Sequence, residues 1–540
     1  MIELPRMKYS GKIKSSTQVK FAGLDHTAGA KEGTLYDMVN MCGDDYPVLG
    51  TRRKRAIYQT LTSPGGIGAY EKLCWVDGTA FFYDGVKRGT VSMGKKRFVP
   101  FAGKVIILPD KLYYDIYTQE FGSLEAKWAG NSLEFANGES YGVAAEKNRI
   151  HCAGANWGSL FSVGDGVQIS GCTVHSENNK NVIIKGIDGD YLYVTENTFT
   201  LSGAEGDEAY TEKGQLAIER TMPDLEYACV NENRMWGCVG DTIYASKRED
   251  PKNWQVFDGV SDNSWYSPTG TAGDFAGSIS YRGYPVFFKE SHIFKIYGSL
   301  PSNFQVLSSA SMGLMPGAAD SLAIANETLY YLSQNGIAAY TGGIPQAIGR
   351  VFGDLRFTQA VAGSDGLKYY ASMCDTTGRW RLYVYDTQSG LWHIEDDTQV
   401  LGFARCDGKL YMLFADGQIV TTDDYDAEGE ATEEIHWMCE FGDFVEGSPY
   451  QKGVTKLLIR MELETGAKAK VWMQYDSGPK WEKVGDICSE GGKRSYYLPI
   501  PPRRCDHFRL KLEGVGGVKI HSITREYFVG SAKQGRKGKY

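Results

Sequence analysis

The chain has 540 residues, 42% hydrophobic and 23% charged, and its 58 basic and 66 acidic side chains leave a formal net charge of −8. That hydrophobic content supports sizeable cores and excludes intrinsic disorder as the main state. The charge makes the whole molecule a poor polyanion binder, and no window approaches the ~18 uninterrupted apolar residues of a membrane helix.

Glycine is abundant at 65 residues, and aromatic residues make up 13% of the chain; such a chain turns often and packs rings between its turns. The eleven cysteines are scattered, with no C-x-x-C pair. This implies free thiols in a reducing compartment, and neither a zinc ribbon nor a disulfide framework. The start, Met1–Arg6, has no apolar core of an export signal, so Sec secretion is not expected. Basic residues gather at both ends, as Arg6, Lys8, Lys12, Lys14 and Lys20, then Lys533, Arg536, Lys537 and Lys539. They read as solvated termini or as docking elements for an acidic partner or for nucleic acid.

Residues 1–64 are expected to pack on or close the body that follows. From there, stretches of five to eight residues alternate β-branched and aromatic residues with polar ones and end on Gly, Asn-Gly or Asp-Gly, the mark of short strands and tight turns. A strand–turn–strand–turn–strand pattern recurs from Gly68 to Asp84, near 97, from Leu225 to Ala245, and near Gly277, Asp320, Leu367 and Val400. The later starts are spaced close to the ~40–50 residues of four-stranded propeller blades. The expected fold is all-β: a β-propeller of about seven blades over residues 65–130 and 223–422.

Between 131 and 222 the period fails. The run from Leu160 to Thr195 reads as small strands, expected as a β domain inserted at a loop tip. Residues 423–434 are acidic and apolar-poor, an expected linker. Residues 435–530 alternate cleanly, as in Val454–Leu463 and His507–Glu513, and suggest a C-terminal β-sandwich. Residues 531–540 form a basic tail.

Catalytic signatures are scarce. Asp424, Asp426, Glu428 and Gly429 approach a calcium loop, but its twelfth position is Ile435 where a bidentate carboxylate is required. Asp476 to Trp481 matches the D-x-G-x-x-W turn of sialidase-type propellers, in which the Asp caps a turn and the Trp packs beneath it. No phosphate loop and no G-x-S-x-G elbow occurs, and the eight histidines never stand at metal-ligand spacing. Carboxylates are plentiful, as at Asp44-Asp45, Asp396-Asp397 and Asp423-Asp424; a glycosidase needs two at a fixed spatial separation, which sequence does not show, and with 66 acidic residues such neighbours arise by chance. Trp236, Trp254, Trp265, Trp380 and Trp392 could stack on sugars or bases, but their placement favours filling between sheets.

Two passages resemble a known family. Asp37 to Arg55, with Asn40-Met41, Pro47, Leu49 and Arg52, resembles an N-terminal signature of bacteriophage tail proteins of the packaged-DNA stabilisation and tail-nozzle group. Pro223 to Phe352, with Asn233–Gly237, Asp250–Trp254, Val286–Glu290 and Ile293–Gly298, resembles the propeller of the same group. The resemblance implies a non-enzymatic virion component: a homo-oligomeric ring of six, adjoining portal, adaptor or tail proteins, through which double-stranded DNA passes. It implies no cofactor, no metal and no membrane anchor. The alternatives are a tail component that binds host-surface glycan or receptor, or a glycan-cleaving propeller enzyme. Arg52, Arg53, Lys54 and Arg55 place four cations in a row. They are the candidate subunit interface, because Arg suits bidentate pairing with a partner's carboxylates; the competing reading is an edge strand guarded by charge.

Overall fold

The computed structural model describes residues 12–27, 31–138, 148–194, 199–201, 209–257, 259–422, 433–448, 450–488, 492–501 and 503–530. Among these the regular structure is β-strand, with a few single-turn 3-10 segments. The chain divides into two compact units, Thr62–Ala319 and Met1–Leu61 with Asp320–Tyr540.

The first unit holds four antiparallel four-stranded meanders. They run Pro64–Tyr70 to Val86–Thr90, Arg97–Phe101 to Phe121–Ser123, Tyr227–Asn231 to Trp265–Pro268, and Phe275–Tyr281 to Gln305–Ala310. Three successive clusters of buried side chains join neighbours. Val76 and Phe81 meet Val105 and Tyr114, Val99 and Ile106 meet Met235, and Trp236 and Ile243 meet Phe275 and Phe287. The second unit holds three more meanders: Ala323–Ala325 to Gln346–Ala347, Phe357–Ser364 to Leu391–Ile394, and Val400–Cys406 to Gln418–Thr421. The last gains its fourth strand from Ala56–Thr60, paired with Gln418–Thr421. The sixth meander begins at Phe357, ahead of the expected start near 367, because its first strand, with Thr358, Gln359 and Gly363, lacks the aromatic signal of the others.

Local chemistry explains the meanders. The first hairpin of five of them closes on two residues with positive φ: Ala102-Gly103, Glu232-Asn233, Arg282-Gly283, Asn326-Glu327 and Asp407-Gly408. That conformation matches the right-handed twist of the flanking strands, and Gly, Asn and Asp reach it at least cost. Second strands such as Tyr284–Lys289 are buried almost throughout. They read as continuous apolar runs because both faces of the sheet are covered.

Within the first unit, a seven-stranded sheet is built on the long pair Ala126–Ala136 and Ala209–Arg220. Its two edge strands, Asn181–Ile183 and Gly186–Asp188, are adjacent in sequence. The sheet therefore curls round one core that includes Phe135, Trp157, Ile169, Leu192 and Ile218. It starts at Ala126, ahead of the expected boundary at 131.

The C-terminal region forms two sheets. One is ordered Met41–Cys42, Leu49–Thr51, Val518–Val529, Lys452–Leu463, Gly492–Pro499; the other Leu35–Val39, His436–Phe441, Phe508–Val515, Lys468–Tyr475, Glu482–Cys488. Burial has period two: Leu457, Ile459, Met461 and Leu463 in one strand, Ala469, Val471 and Met473 in another, are buried. The N-terminal segment, expected to pack on or close the body that follows it, also contributes to these two sheets. Lys14–Gln18, Leu35–Val39, Met41–Cys42 and Leu49–Thr51 complete these two sheets, and only Ala56–Thr60 joins a meander. Pairings across some 400 residues leave no local mark on the sequence.

Candidate functional site

The cationic row separates into two inward and two outward side chains. Leu49–Thr51 delivers Arg52 and Arg55 into the interior of the second unit, where both are buried, while Arg53 and Lys54 are exposed. Arg52 Nε donates to Asn40 Oδ1 at 2.7 Å. Its Nη1 donates to Glu433 Oε2 at 3.0 Å and its Nη2 to Glu433 Oε1, a bidentate fork. Arg55 Nη2 donates to Glu395 Oε2 at 2.6 Å and Nη1 to Asp396 Oδ2 at 2.5 Å. Its backbone N–H donates to Glu433 Oε2 at 2.8 Å, and its guanidinium lies 5.3 Å from the Phe414 ring.

Charges follow from these contacts. Burial alone would raise Glu433 and Asp396, but hydrogen bonds from Arg52 to Glu433 and the charge of Arg55 beside Asp396 hold both carboxyls below their ordinary range. Arg55 is held above its ordinary value, since Glu395 and Asp396 outweigh its burial. The carboxylates that pair with Arg52 and Arg55 thus belong to the same chain, which removes these two from the expected subunit interface. Glu433, read from sequence as part of a solvated linker, is a central member; the linker residues 423–432, with the Asp423-Asp424 pair and most of the calcium-like loop, lie outside the described residues, as does the tail 531–540.

Beside this network a cleft of about 860 Å³ is lined by Arg53, Lys54, Asp45, Glu462, Glu464 and Lys519, among others. Its floor is ion-paired: Lys519 Nζ reaches Asp45 Oδ2 at 2.8 Å, Arg53 Nε lies 3.8 Å from Asp44 Oδ2, and Lys368 also binds Asp44. Asp397 takes Arg379 at 2.8 Å and Arg381 at 3.0 Å. Under Gly43, where a Cβ would come within 2.6 Å of the ring, sits buried His393. Burial and nearby Lys368 push its imidazole down to about 4.

Among the described residues no group of three or more His, Cys, Asp or Glu is placed to hold a metal ion. No helix there is long and apolar enough to cross a membrane. Of the singled-out tryptophans, Trp236, Trp254 and Trp392 are buried between strands, while Trp265 and Trp380 are half-buried. Asp476 does not close its own turn as the D-x-G-x-x-W pattern suggests. Its Oδ1 accepts the backbone N–H of Asp506 at 2.6 Å, a long-range tie.

No family model and no curated protein matches the chain. Among solved structures, it is similar to Hsv2 of Kluyvelomyces marxianus, at 13% identity and a TM-score of 0.24, over 34% of this chain and 58% of that one. It is also similar to an exo-beta-1,3-galactanase of Phanerochaete chrysosporium, at 10% identity and a TM-score of 0.20, over 54% of this chain and 92% of that one. A third is an engineered GH43 glycoside hydrolase, at 11% identity and a TM-score of 0.21, over 56% of this chain and 97% of that one. These findings correct the expectation of a phage virion component that retains and conducts DNA. The structures named are Hsv2 and glycoside hydrolases, and none of them is a phage protein. Likeness at this level transfers no activity to the chain.

Proposed function

We propose that the seven meanders are blades of one β-propeller carrying an inserted curled β-sheet and a C-terminal β-sandwich, and that the protein works as a binding scaffold without catalysing a reaction. The observation that carries this reading is the neutralisation of both described Asp-Asp pairs. Asp44 and Asp45 are taken by Lys368 and Lys519, Asp396 and Asp397 by Arg55 and Arg379. Acid–base hydrolysis of a glycosidic bond needs two carboxyls facing a substrate, one with its pKa raised. Asp44 and Asp396 are instead held down. Glu440 is raised by burial, yet Arg509 lies 3.5 Å from it and its neighbour Asp37 is tied to Arg381 at 2.9 Å.

Binding at the charged cleft falls to Arg53 and Lys54, whose exposed heads suit an acidic stretch of a second protein chain, a second copy included. The test is incubation of the full chain with aryl glycosides and neutral polysaccharides while new reducing ends are counted. None above a protein-free blank is expected. Turnover that disappears in Glu440→Gln would overturn the proposal.

A further inference from the structure

The third meander connects its last two strands, Thr242–Ala245 and Trp265–Pro268, by a long folded excursion. Buried Arg234 holds its rim: Nη1 donates to the carbonyls of Ser246, at 2.8 Å, and Asn263, and Nη2 to that of Ser261 at 2.9 Å. The backbone N–H of Ser264 donates to Val256 O at 3.0 Å. These four contacts fix the loop before any ligand arrives, which lowers the ordering cost of binding.

This rim and the Leu300–Ser302 turn enclose a cleft of about 500 Å³. Two aromatic side chains there remain open to solvent, Phe257 at 49% and Tyr266 at 56% exposure. Their ring centroids are 5.7 Å apart at 72°, so the planes present two walls at nearly a right angle. Tyr244 backs Tyr266 at 6.0 Å, near parallel, and holds its plane. At the base lies Asn263, only 5% exposed, and its Oδ1 is buried with no hydrogen-bond partner. Buried polar atoms are nearly always paired; this acceptor lacks a donor in a cleft already lined with exposed rings. None of the described residues that line the cleft is charged.

We infer that this cleft is a binding subsite for a neutral carbohydrate. The ligand must supply an O–H donor to Asn263 Oδ1, must carry an apolar face to lie on Tyr266 or Phe257, and meets no counter-charge among the described lining residues. A pyranose meets all three conditions: its axial C–H bonds form an apolar face and its equatorial hydroxyls point outward at the edge. Ser261 and Ser302 add small polar groups at the rim. An aromatic peptide would use the walls but leave the buried acceptor unpaired, and an anionic ligand finds no cation among the lining residues.

The test is calorimetric titration of the full chain with cellohexaose, laminarihexaose, xylohexaose and galactohexaose, and with hexagalacturonate as the charged control. Binding of at least one neutral oligosaccharide is expected. Tyr266→Ala should weaken it roughly tenfold, the scale of one lost aromatic stack. Tyr266→Phe, which keeps the ring, should retain it, and Asn263→Leu, which removes the acceptor, should lose it. Thermal melts of each variant identify any that fail to fold, and Tyr266→Phe serves as the folded reference. Absence of binding for all four neutral oligosaccharides, equal affinity in wild type and Tyr266→Ala, or tighter binding of hexagalacturonate overturns the inference.

Discussion

The network around Arg52 and Arg55 and the cleft beside Asn263 differ in how buried acceptors are met, although each leaves one buried atom unpaired, the donor Arg55 Nε in the first and the acceptor Asn263 Oδ1 in the second. In the first, Glu433, Glu395 and Asp396 are met by guanidinium donors of their own chain. In the second, Arg234 satisfies backbone carbonyls but the side-chain Oδ1 of Asn263 is left without a donor. Where every charge is answered internally, the residues hold the fold. An acceptor buried and unanswered beside exposed rings is where a ligand has something to add. A row of four cations looked the more functional feature in sequence, yet half of it is structural.

The contrast can be broken most forcefully at Arg55. Arg55→Met leaves Glu395 and Asp396 only the more distant Arg52, at 4.0 and 3.9 Å, as a buried cation, and the loss should be about 3 kcal/mol of stability by denaturant unfolding. A loss as small as that of an exposed pair would refute the structural assignment.

The pH dependence sharpens the same side. His393 has a folded value near 4 against 6.5 in the unfolded chain. Below pH 6.5 the unfolded imidazole therefore takes a proton that the folded one refuses, and stability falls as pH drops from 6.5 towards 4. The full effect is on the order of 3 kcal/mol. Glu433 and Asp396 act at lower pH. Their folded values lie below their ordinary ones, so their contribution is present above the ordinary carboxylate range and is lost as pH falls through the folded values. Melting curves from pH 8 to pH 3 should show both phases, and His393→Gln should shrink the upper one, to which His26 and His521, also lowered by burial, contribute the remainder.

On the other side, Asn263→Ala removes an acceptor that pairs with nothing. Stability should stay within about 1 kcal/mol of wild type, or rise, although the residue is buried. A large loss would show that Asn263 is a structural member of its loop. The smallest effect is expected at the outward cations. Arg53→Glu with Lys54→Glu should change stability by less than about 1 kcal/mol, while light scattering at low salt should show weaker association if an acidic chain docks there.

Much of the β architecture is legible in the sequence because it is locally encoded. Ala102-Gly103, Arg282-Gly283 and Asp407-Gly408 supply turn residues at the places where the chain reverses, and the buried second strands stand out as apolar runs. What escapes is long-range or depends on exposure. The partners of Leu35–Val39 and Ala56–Thr60 lie near the other end of the chain. Glu433 sits in an acidic stretch whose composition says only that it is polar, and nothing marks it as the one that reaches Arg52. At the cleft, Trp265 is singled out by its type, but Tyr266 is not, because alternation along a strand tells which face a ring lies on and not whether anything covers that face; Phe257 lies in a connecting segment with no alternation to read.

The central claim, binding without catalysis, is tested most directly by saturation-transfer NMR of a neutral oligosaccharide mixed with the full chain and followed over time. The account predicts transfer to the sugar ring protons in wild type, its loss in Tyr266→Ala, and no new reducing-end signals. Equal transfer in the two proteins, or reducing-end signals that grow with time, would contradict it.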